Sequence, residues 1–395
     1  MELFTVKKQV ADDKTFIADD MLLTTDCPTC AGSRMLDGYT SLFEAEAITL
    51  IKNAGYEFAG KTPVGEFSFD LVGETNYNGA LTEEGKLVNA TARAIKNGDA
   101  TVALTLDVNG TTRRGSAMEK LCSIKPTYGT VSRYGTIPVA CSGETVSVTA
   151  KTSEEVRSAL AVISTYDDKD GTSLPLAMRN EVTAPVKKVA VLTSLLKGIN
   201  EEVRADIDNA VKALAMSGVT VDFIDDSVIA LSRPAWNILM CAELCNNVSR
   251  YDGVKYGYRA KEFSGLDELY TLSRSQSFGD LLKTAIIYGS ETLSTDNYMK
   301  VYDKALRTRR VIVNAFASIF AEYDAVLIPV CSTYEYTNEL LSKKPRLAFD
   351  ENFYTAPASI SGLPAVVVKG VQLVGPAFSE NALLDVATTL EKEIK

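Results

Sequence analysis

Histidine is absent from all 395 residues of the chain. That removes Ser-His and Cys-His nucleophile pairs, imidazole-based triads and every metal site with a histidine ligand. Any nucleophile here needs a lysine, a carboxylate or another base to activate it. Long apolar runs are missing too: none reaches the roughly 18 residues of a membrane-spanning helix. The opening "MELFTVKKQVADDKTF" lacks the apolar core of a secretory signal. The expected location is therefore the cytoplasm, with no membrane contact. Basic residues are outnumbered, 41 Lys and Arg against 51 Asp and Glu, for a net charge of −10. A broad nucleic-acid-gripping face is disfavoured, since phosphate binding depends on clustered Lys and Arg.

With 46% apolar and 23% charged residues, the composition is that of a soluble globular protein. At about 150 residues per domain the length allows two to three domains, or one large α/β domain. Seven cysteines, an odd number in a chain of this size, suit a reducing compartment. Cys27-Pro28-Thr29-Cys30 forms a C-x-x-C without a recognisable βαβ redox setting. Cys241 and Cys245, four apart, share one face of a helix. Four thiols are the raw material of a zinc site, but buried cysteines acting as small apolar residues are the commoner outcome. No metal site and no cofactor are expected.

Residues 41–60 place apolar side chains at helical spacing, stop near Gly55 and enter the short strand "YEFAG". The pattern repeats at 200–224, with an acidic first turn, a Gly218 stop and a β-branched strand; "VKKVAVLT" (186–193) is a buried-strand candidate ahead of it. Residues 235–322 read as nearly all helix, most clearly Trp236 to Asn247 and Thr295 to Tyr323. "YDAVLIPV" (323–330) reads as a strand, 361–375 as one or two more, and 379–394 as a closing helix. Alternating helices and apolar strands predict an α/β architecture with a largely parallel sheet. With no internal repeat and no low-complexity linker, one continuous domain over 1–395 with a helical insertion at about 235–322 is the simplest organisation.

The stretch "LTLDVNGTTRRGSA" (104–117) reads as a strand opening into a loop that offers two hydroxyls and two arginines. Just beyond it, "SIKPTYGTVSRYGTIPVA" (123–140) resembles the "LKPTYGRVSRYG" run of the amidase signature family, in particular the A-type component of tRNA-dependent glutamyl/aspartyl amidotransferases. "AELCNNVSRYDGVKYGYRA" (242–260), "GKTPVGEF" (60–67) and "ASISGLPAVVV" (358–368) are similar to further family patterns, in order, from about residue 15 to 392. The resemblance implies an α/β/α sandwich around a large twisted mixed sheet. It also implies amide hydrolysis by a serine, a second serine held by a cis peptide and a lysine base, with backbone N–H groups stabilising the oxyanion. In the amidotransferases, ammonia from glutamine passes to a B-type component that modifies tRNA.

Carried over residue by residue, the resemblance puts Ala18 at the lysine, Leu87 at the cis serine and Thr111 at the nucleophile. The glycine- and serine-rich run around the cis serine is gone, and the segment about 68–85 is shortened. Two positions that hold glutamine in the family fall on Ala285 and Asn352, with Glu351 one register away. For Thr111 the plainer reading is a hydroxyl satisfying a turn; for Arg113 and Arg114, a loop–helix anchor or partner contact. Lys125 reads as structural, Thr91 and Ser116 as hydroxyls without a lysine partner. Asp19 and Asp20 read as solvated or capping carboxylates ahead of a metal site. The leading expectation is a catalytically inactive protein of the A type that docks B-type and perhaps C-type subunits and meets tRNA only through them. The alternatives are an active glutaminase or amidase using Thr111 with a displaced base, and a remodelled cavity that binds a different small molecule.

Overall fold

The computed structural model describes residues 2–394. Its strands are β1 (Val6–Lys7), β2 (Thr15–Asp19), β3 (Glu57–Thr62), β4 (Thr82–Glu83), β5 (Lys86–Leu87), β6 (Val102–Asp107) and β7 (Cys122–Lys125). They continue as β8 (Thr145–Ala150), β9 (Lys188–Leu192), β10 (Thr220–Ile224), β11 (Ala325–Pro329), β12 (Ala365–Val368) and β13 (Val371–Val374). The helices are α1 (Glu46–Asn53), α2 (Ala90–Asn97), α3 (Thr111–Met118), α4 (Ser153–Ile163), α5 (Glu201–Met216), α6 (Ser232–Val248) and α7 (Leu266–Ser277). After these come α8 (Asp280–Thr292), α9 (Asp303–Ile319), α10 (Asn338–Lys343), α11 (Leu347–Asp350), α12 (Asn352–Ser361) and α13 (Glu380–Glu393).

One 11-stranded sheet runs β1-β3-β2-β6-β8-β7-β12-β13-β11-β9-β10, and β4–β5 form a separate hairpin. Parallel pairing is confined to β3–β2–β6 and β11–β9–β10. The strands between these sets, and β1, pair antiparallel. The largely parallel sheet expected from the alternation of helices and strands is thus a mixed one. Its centre is built from strands joined by short loops or by segments that reverse direction, such as Val368 to Val371, and antiparallel strands tolerate such short returns. Apolar runs that read as parallel strands do so because burial on both faces erases alternation in either arrangement.

Helix ends follow local chemistry. Thr152 and Glu155 form a reciprocal capping box at α4, and Asn200 caps α5 ahead of Glu201 and Glu202. Helices α1, α4, α13 and α5 pack in a continuous row, while α6, α8, α9 and α12 form a bundle. A side chain at Gly289 in α8 would lie 2.1 Å from the carbonyl oxygen of Cys241, and that glycine is what lets α6 and α8 approach so closely. Cys241 and Cys245 pack at this crossing, and no cluster of potential metal ligands occurs among the described residues. The stretch read as helix from Thr295 opens with a turn over 295–297, followed by a π-helical turn, Tyr298–Tyr302, before α9. No helix among the described residues is long and apolar enough to cross a membrane.

Candidate active site and its closure

Strand β6 is buried along its length and ends at Asp107. The chain then turns through Gly110, whose φ of 80° is open to glycine and where a side chain would lie 2.4 Å from Thr355 of α12. Helix α3 starts at Thr111, so the stretch read as a loop is loop only as far as Gly110. Its sequence, "TTRRGSAM", shows no apolar stripe because the surroundings it is buried in are polar.

Arg113 is fully buried and grips Asp107 with two bonds, Nε to Oδ2 at 3.0 Å and Nη2 to Oδ1 at 3.1 Å. Its remaining N–H groups reach the Thr355 carbonyl (2.9 Å), Gln372 Oε1 (2.8 Å) and Ser359 Oγ (2.8 Å). Burial alone would raise the Asp107 carboxyl, but the Arg113 guanidinium outweighs it and holds the group below its ordinary value. Arg113 therefore fastens the turn to α12 and β13.

Arg114 is equally buried, yet it bonds to carbonyls of the chain from 70 to 71. Its Nε donates to the Leu71 carbonyl (3.0 Å), and Nη2 to those of Asp70 (3.1 Å) and Asn109 (2.7 Å). Asn109 Nδ2 donates to the Phe69 carbonyl (2.9 Å), and Thr111 Oγ1 makes long contacts of 3.4 Å to the carbonyls of Ser68 and Asp70. Residues 65–75 thus lie across the turn as a plug. Phe67 and Ser68 adopt left-handed backbone, φ 54° and 51°, which non-glycine residues rarely take. Phe67 stacks on Tyr251 with ring centres 5.4 Å apart, and Phe69 meets Phe349 edge-on at 5.6 Å. Asp70 accepts from Thr75 N and Oγ1, and burial together with Glu74 pushes its carboxyl well above the ordinary range. At the plug's start Glu66 accepts from Ser33 Oγ (2.7 Å) and Gly279 N (2.8 Å), and burial pushes it up to about 7.

Beneath the plug remains a cavity of about 10 Å³, lined by Asp19, Ser68, Thr91, Thr105, Thr111, Thr112 and Ser116 among others. That is room for one water. An amino-acid side chain does not fit. Asp19 accepts from Leu106 N (2.8 Å) and Met21 N (3.0 Å), but burial outweighs both bonds and raises its carboxyl to about 7.

The amidase family model matches residues 91–384. The chain belongs to the amidase family. It is 32% identical over 400 aligned residues to the A component of the glutamyl-tRNA(Gln) amidotransferase of Streptococcus pneumoniae, covering 96% of this chain and 81% of that protein. The fold matches the crystal structure of the A component of glutamyl-tRNA(Gln) amidotransferase from Thermotoga maritima, with TM-score 0.81 and 24% identity over 98% of this chain and 87% of that one. It also matches 6-aminohexanoate cyclic dimer hydrolase, TM-score 0.78, 16% identity, covering 96% and 84%.

In this amidase-family chain Ala18 is fully buried in β2, in register with Lys61 of β3. Lys61 is also fully buried, and its ammonium is committed to Thr29 Oγ1, the Pro28 carbonyl (3.2 Å) and Asp20 Oδ1 (3.4 Å). Leu87 belongs to a core cluster with Leu71, Val72 and Tyr336; from its neighbourhood Asn89, Thr91 and Ala92 reach the cavity. Ala285 is buried in α8. Asn352 opens α12 and donates to Asn237 Oδ1 (2.6 Å), while its own Oδ1 is buried without a partner. Glu351 is held by Ser332 N (2.9 Å), Ser332 Oγ and Tyr336 OH (2.9 Å).

Asp19 and Asp20, expected to be solvated or capping, are buried. The reason is strand β2, which carries Asp19 into the sheet and ends there, leaving Asp20 directly behind it, where it is paired with Lys61 and accepts from Cys30 N and Sγ. Burial raises Asp20, with Lys61 opposing. Lys125 is buried too and donates to the carbonyls of Pro126 (3.1 Å) and Leu363 (3.0 Å); burial lowers it to about 7. Sequence reasoning missed the plug residues Ser68 and Asp70, and nothing in "GEFSFDLVGET" marks them, since their contacts to Thr111 and Arg114 are made by backbone carbonyls.

Proposed function

We propose that this chain is a non-catalytic A-type component of an amidotransferase, a pseudo-amidase of one amidase-like domain in the cytoplasm, whose role is to dock B-type and C-type subunits. It meets tRNA only through them. The reading is carried by the 10 Å³ cavity at Thr111, closed by residues 65–75. It is supported by Ala18 where the family has its lysine, by Lys61 being tied up elsewhere, and by the likeness to proteins that are components of an amidotransferase. Hydrolysis of glutamine needs an activated nucleophile and space beside it, and a 10 Å³ cavity with Lys61 committed elsewhere argues against both. The expected result is no ammonia release from glutamine above background by the folded protein, with co-elution on size exclusion when it is co-expressed with B-type and C-type subunits of its own organism. Failure to co-elute overturns the docking role.

One observation favours the second reading: Asp19 shares the cavity with Thr111 and has a carboxyl near 7, which suits a general base. On that reading the plug opens for substrate. Ammonia release abolished by both Thr111→Ala and Asp19→Asn would establish it and displace the first.

A further inference from the structure

The 11-stranded sheet ends on β1 at one side and on β10 at the other. Strand β1 is blunted as edge strands usually are: it is two residues long and carries Lys7, which is paired with Asp99. Strand β10 is left open. Its five residues, Thr220–Ile224, keep an unbroken parallel register with β9, contain no proline, glycine or bulge, and pair with no other strand among the described residues. Thr220 donates inward to the Lys187 carbonyl (2.8 Å). Backbone groups alternate in direction along a strand, so Asp222 and Ile224 also face β9, while Val221 and Phe223 turn their N–H and C=O groups out of the sheet. Those groups have no hydrogen-bond partner among the described residues, and the Phe223 side chain beside them is 54% exposed.

The run Thr-Val-Asp-Phe-Ile complements itself when two copies lie antiparallel about Asp222. Val221 of each copy then faces Phe223 of the other, and each such pair exchanges two main-chain bonds. A register centred on Val221 or on Phe223 instead sets one outward-facing residue of β10 against a position outside the strand. On one face, the aromatic ring of each copy covers the β-branched side chain of the other, a favoured cross-strand pair. On the other face the two Asp222 carboxylates come opposite each other, where like charges repel. Each brings its own cation: Lys188 Nζ lies 3.3 Å from Asp222 Oδ2, and Tyr323 OH donates to the same oxygen at 3.2 Å. The axis therefore gathers two ammonium groups with two carboxylates. Lys187, beside Thr220, and Asp225, just after Ile224, are both exposed and without an ion-pair partner among the described residues. Antiparallel pairing brings the lysine end of one copy to the aspartate end of the other. That local balance matters in a chain of net charge −10, whose copies otherwise repel.

We propose that β10 is the contact of a two-fold homodimer, in which two 11-stranded sheets join through antiparallel β10 strands centred on Asp222. This self-association goes beyond the docking of B-type and C-type subunits and does not depend on it.

Analytical ultracentrifugation of the full chain, from low micromolar concentration to its solubility limit, should show a monomer–dimer equilibrium that stops at two copies. Phe223→Pro removes one outward N–H and the ring and leaves the ladder to β9 intact. Phe223→Glu keeps every main-chain donor and sets a carboxylate against Val221 of the facing copy. Each should weaken the dimer at least roughly tenfold, with folding checked by circular dichroism, and Phe223→Glu carries the test if the proline variant unfolds. Hydrogen–deuterium exchange should show protection of peptides covering 220–224 that grows with protein concentration and is lost in Phe223→Glu. A monomer at every concentration overturns the proposal. So does a dimer that both variants leave intact, which would put the contact elsewhere. Protection of 220–224 that arises only on co-expression with B-type and C-type subunits also overturns it, and gives the edge to an unlike partner. Dimerisation of the chain alone without co-elution of those subunits removes the docking role and leaves the homodimer standing.

Discussion

Arg113 and Thr111 sit two residues apart in α3, and the structure gives them opposite weights. Arg113 closes a fully buried ion pair with Asp107 and adds bonds to Thr355, Ser359 and Gln372. Removing one partner of such a pair strands the other as an unpaired buried charge, which costs about 3–5 kcal/mol. Arg113→Met should therefore lower the denaturant midpoint strongly, with Asp107 left uncompensated. Thr111→Ala removes only two contacts of 3.4 Å and should cost under about 1 kcal/mol. Urea unfolding of the two variants checks both, and a Thr111 cost comparable to that of Arg113 would mean its hydroxyl carries an unrecognised role. The residue that looks like a nucleophile is thus weakly held, and its neighbour Arg113 carries the structure. Sequence placed both in the same short run but could not rank them, because the ranking depends on Thr355, Ser359 and Gln372, more than 240 residues away.

At the scale of elements, the plug is the feature with no sequence signature. Helices α5 and α13 and strands β9 and β11 were legible because their apolar spacing or runs mark them. The 65–75 segment instead works through backbone carbonyls and two left-handed residues, neither of which spacing reveals. Its packing has one tight point. A methyl group at Gly65 would lie 1.7 Å from Asp70 Oδ2, whereas at the exposed Gly171 nothing lies within 4 Å. Gly65→Ala should force the plug to shift, at a cost of about 1–3 kcal/mol for overpacking, while Gly171→Ala stays within about 0.5 kcal/mol of wild type. Hydrogen–deuterium exchange by mass spectrometry adds the local readout, with faster exchange in peptides covering 65–75 expected for Gly65→Ala alone. Unchanged exchange there would mean that Asp70 moves aside and the plug stays seated.

Across the whole molecule, the sheet joins an N-terminal half, β1 to β8, to a C-terminal half, β9 to β13, through the β7–β12 pairing. Arg113 is bonded on both sides of that seam, to Asp107 in the first half and to α12 and β13 in the second. The α/β class was legible from alternation and the family resemblance. The order in which strands from distant parts of the chain pair was not, since long-range pairing leaves no local mark. Nor was the buried charge, and it makes the protein's stability depend on pH in a defined way. Asp19 and Glu66 are raised to about 7 from ordinary values of 3.8 and 4.5, so the folded state holds their protons more tightly than the unfolded chain does. Their contribution is complete below about pH 4 and is lost as pH rises through 7. Lys125 is lowered to about 7 from 10.5, so the folded state binds its proton less tightly, and its contribution is lost as pH falls from about 10 to 7. The two effects meet near neutrality, where stability should pass through a minimum. At one pKa unit per 1.36 kcal/mol, Glu66 alone accounts for about 3 kcal/mol across the acid limb as an upper figure. Urea unfolding free energies at pH 5, 7 and 9 measure both limbs. Glu66→Gln should make the decline from pH 5 to 7 shallower, with the share of Asp19 remaining, and leave the rise from 7 to 9. Lys125→Met should do the reverse. An acid limb that keeps its slope in Glu66→Gln would show that the carboxyl at the foot of the plug is ionised in the folded protein, and that the plug is not anchored by a buried acid.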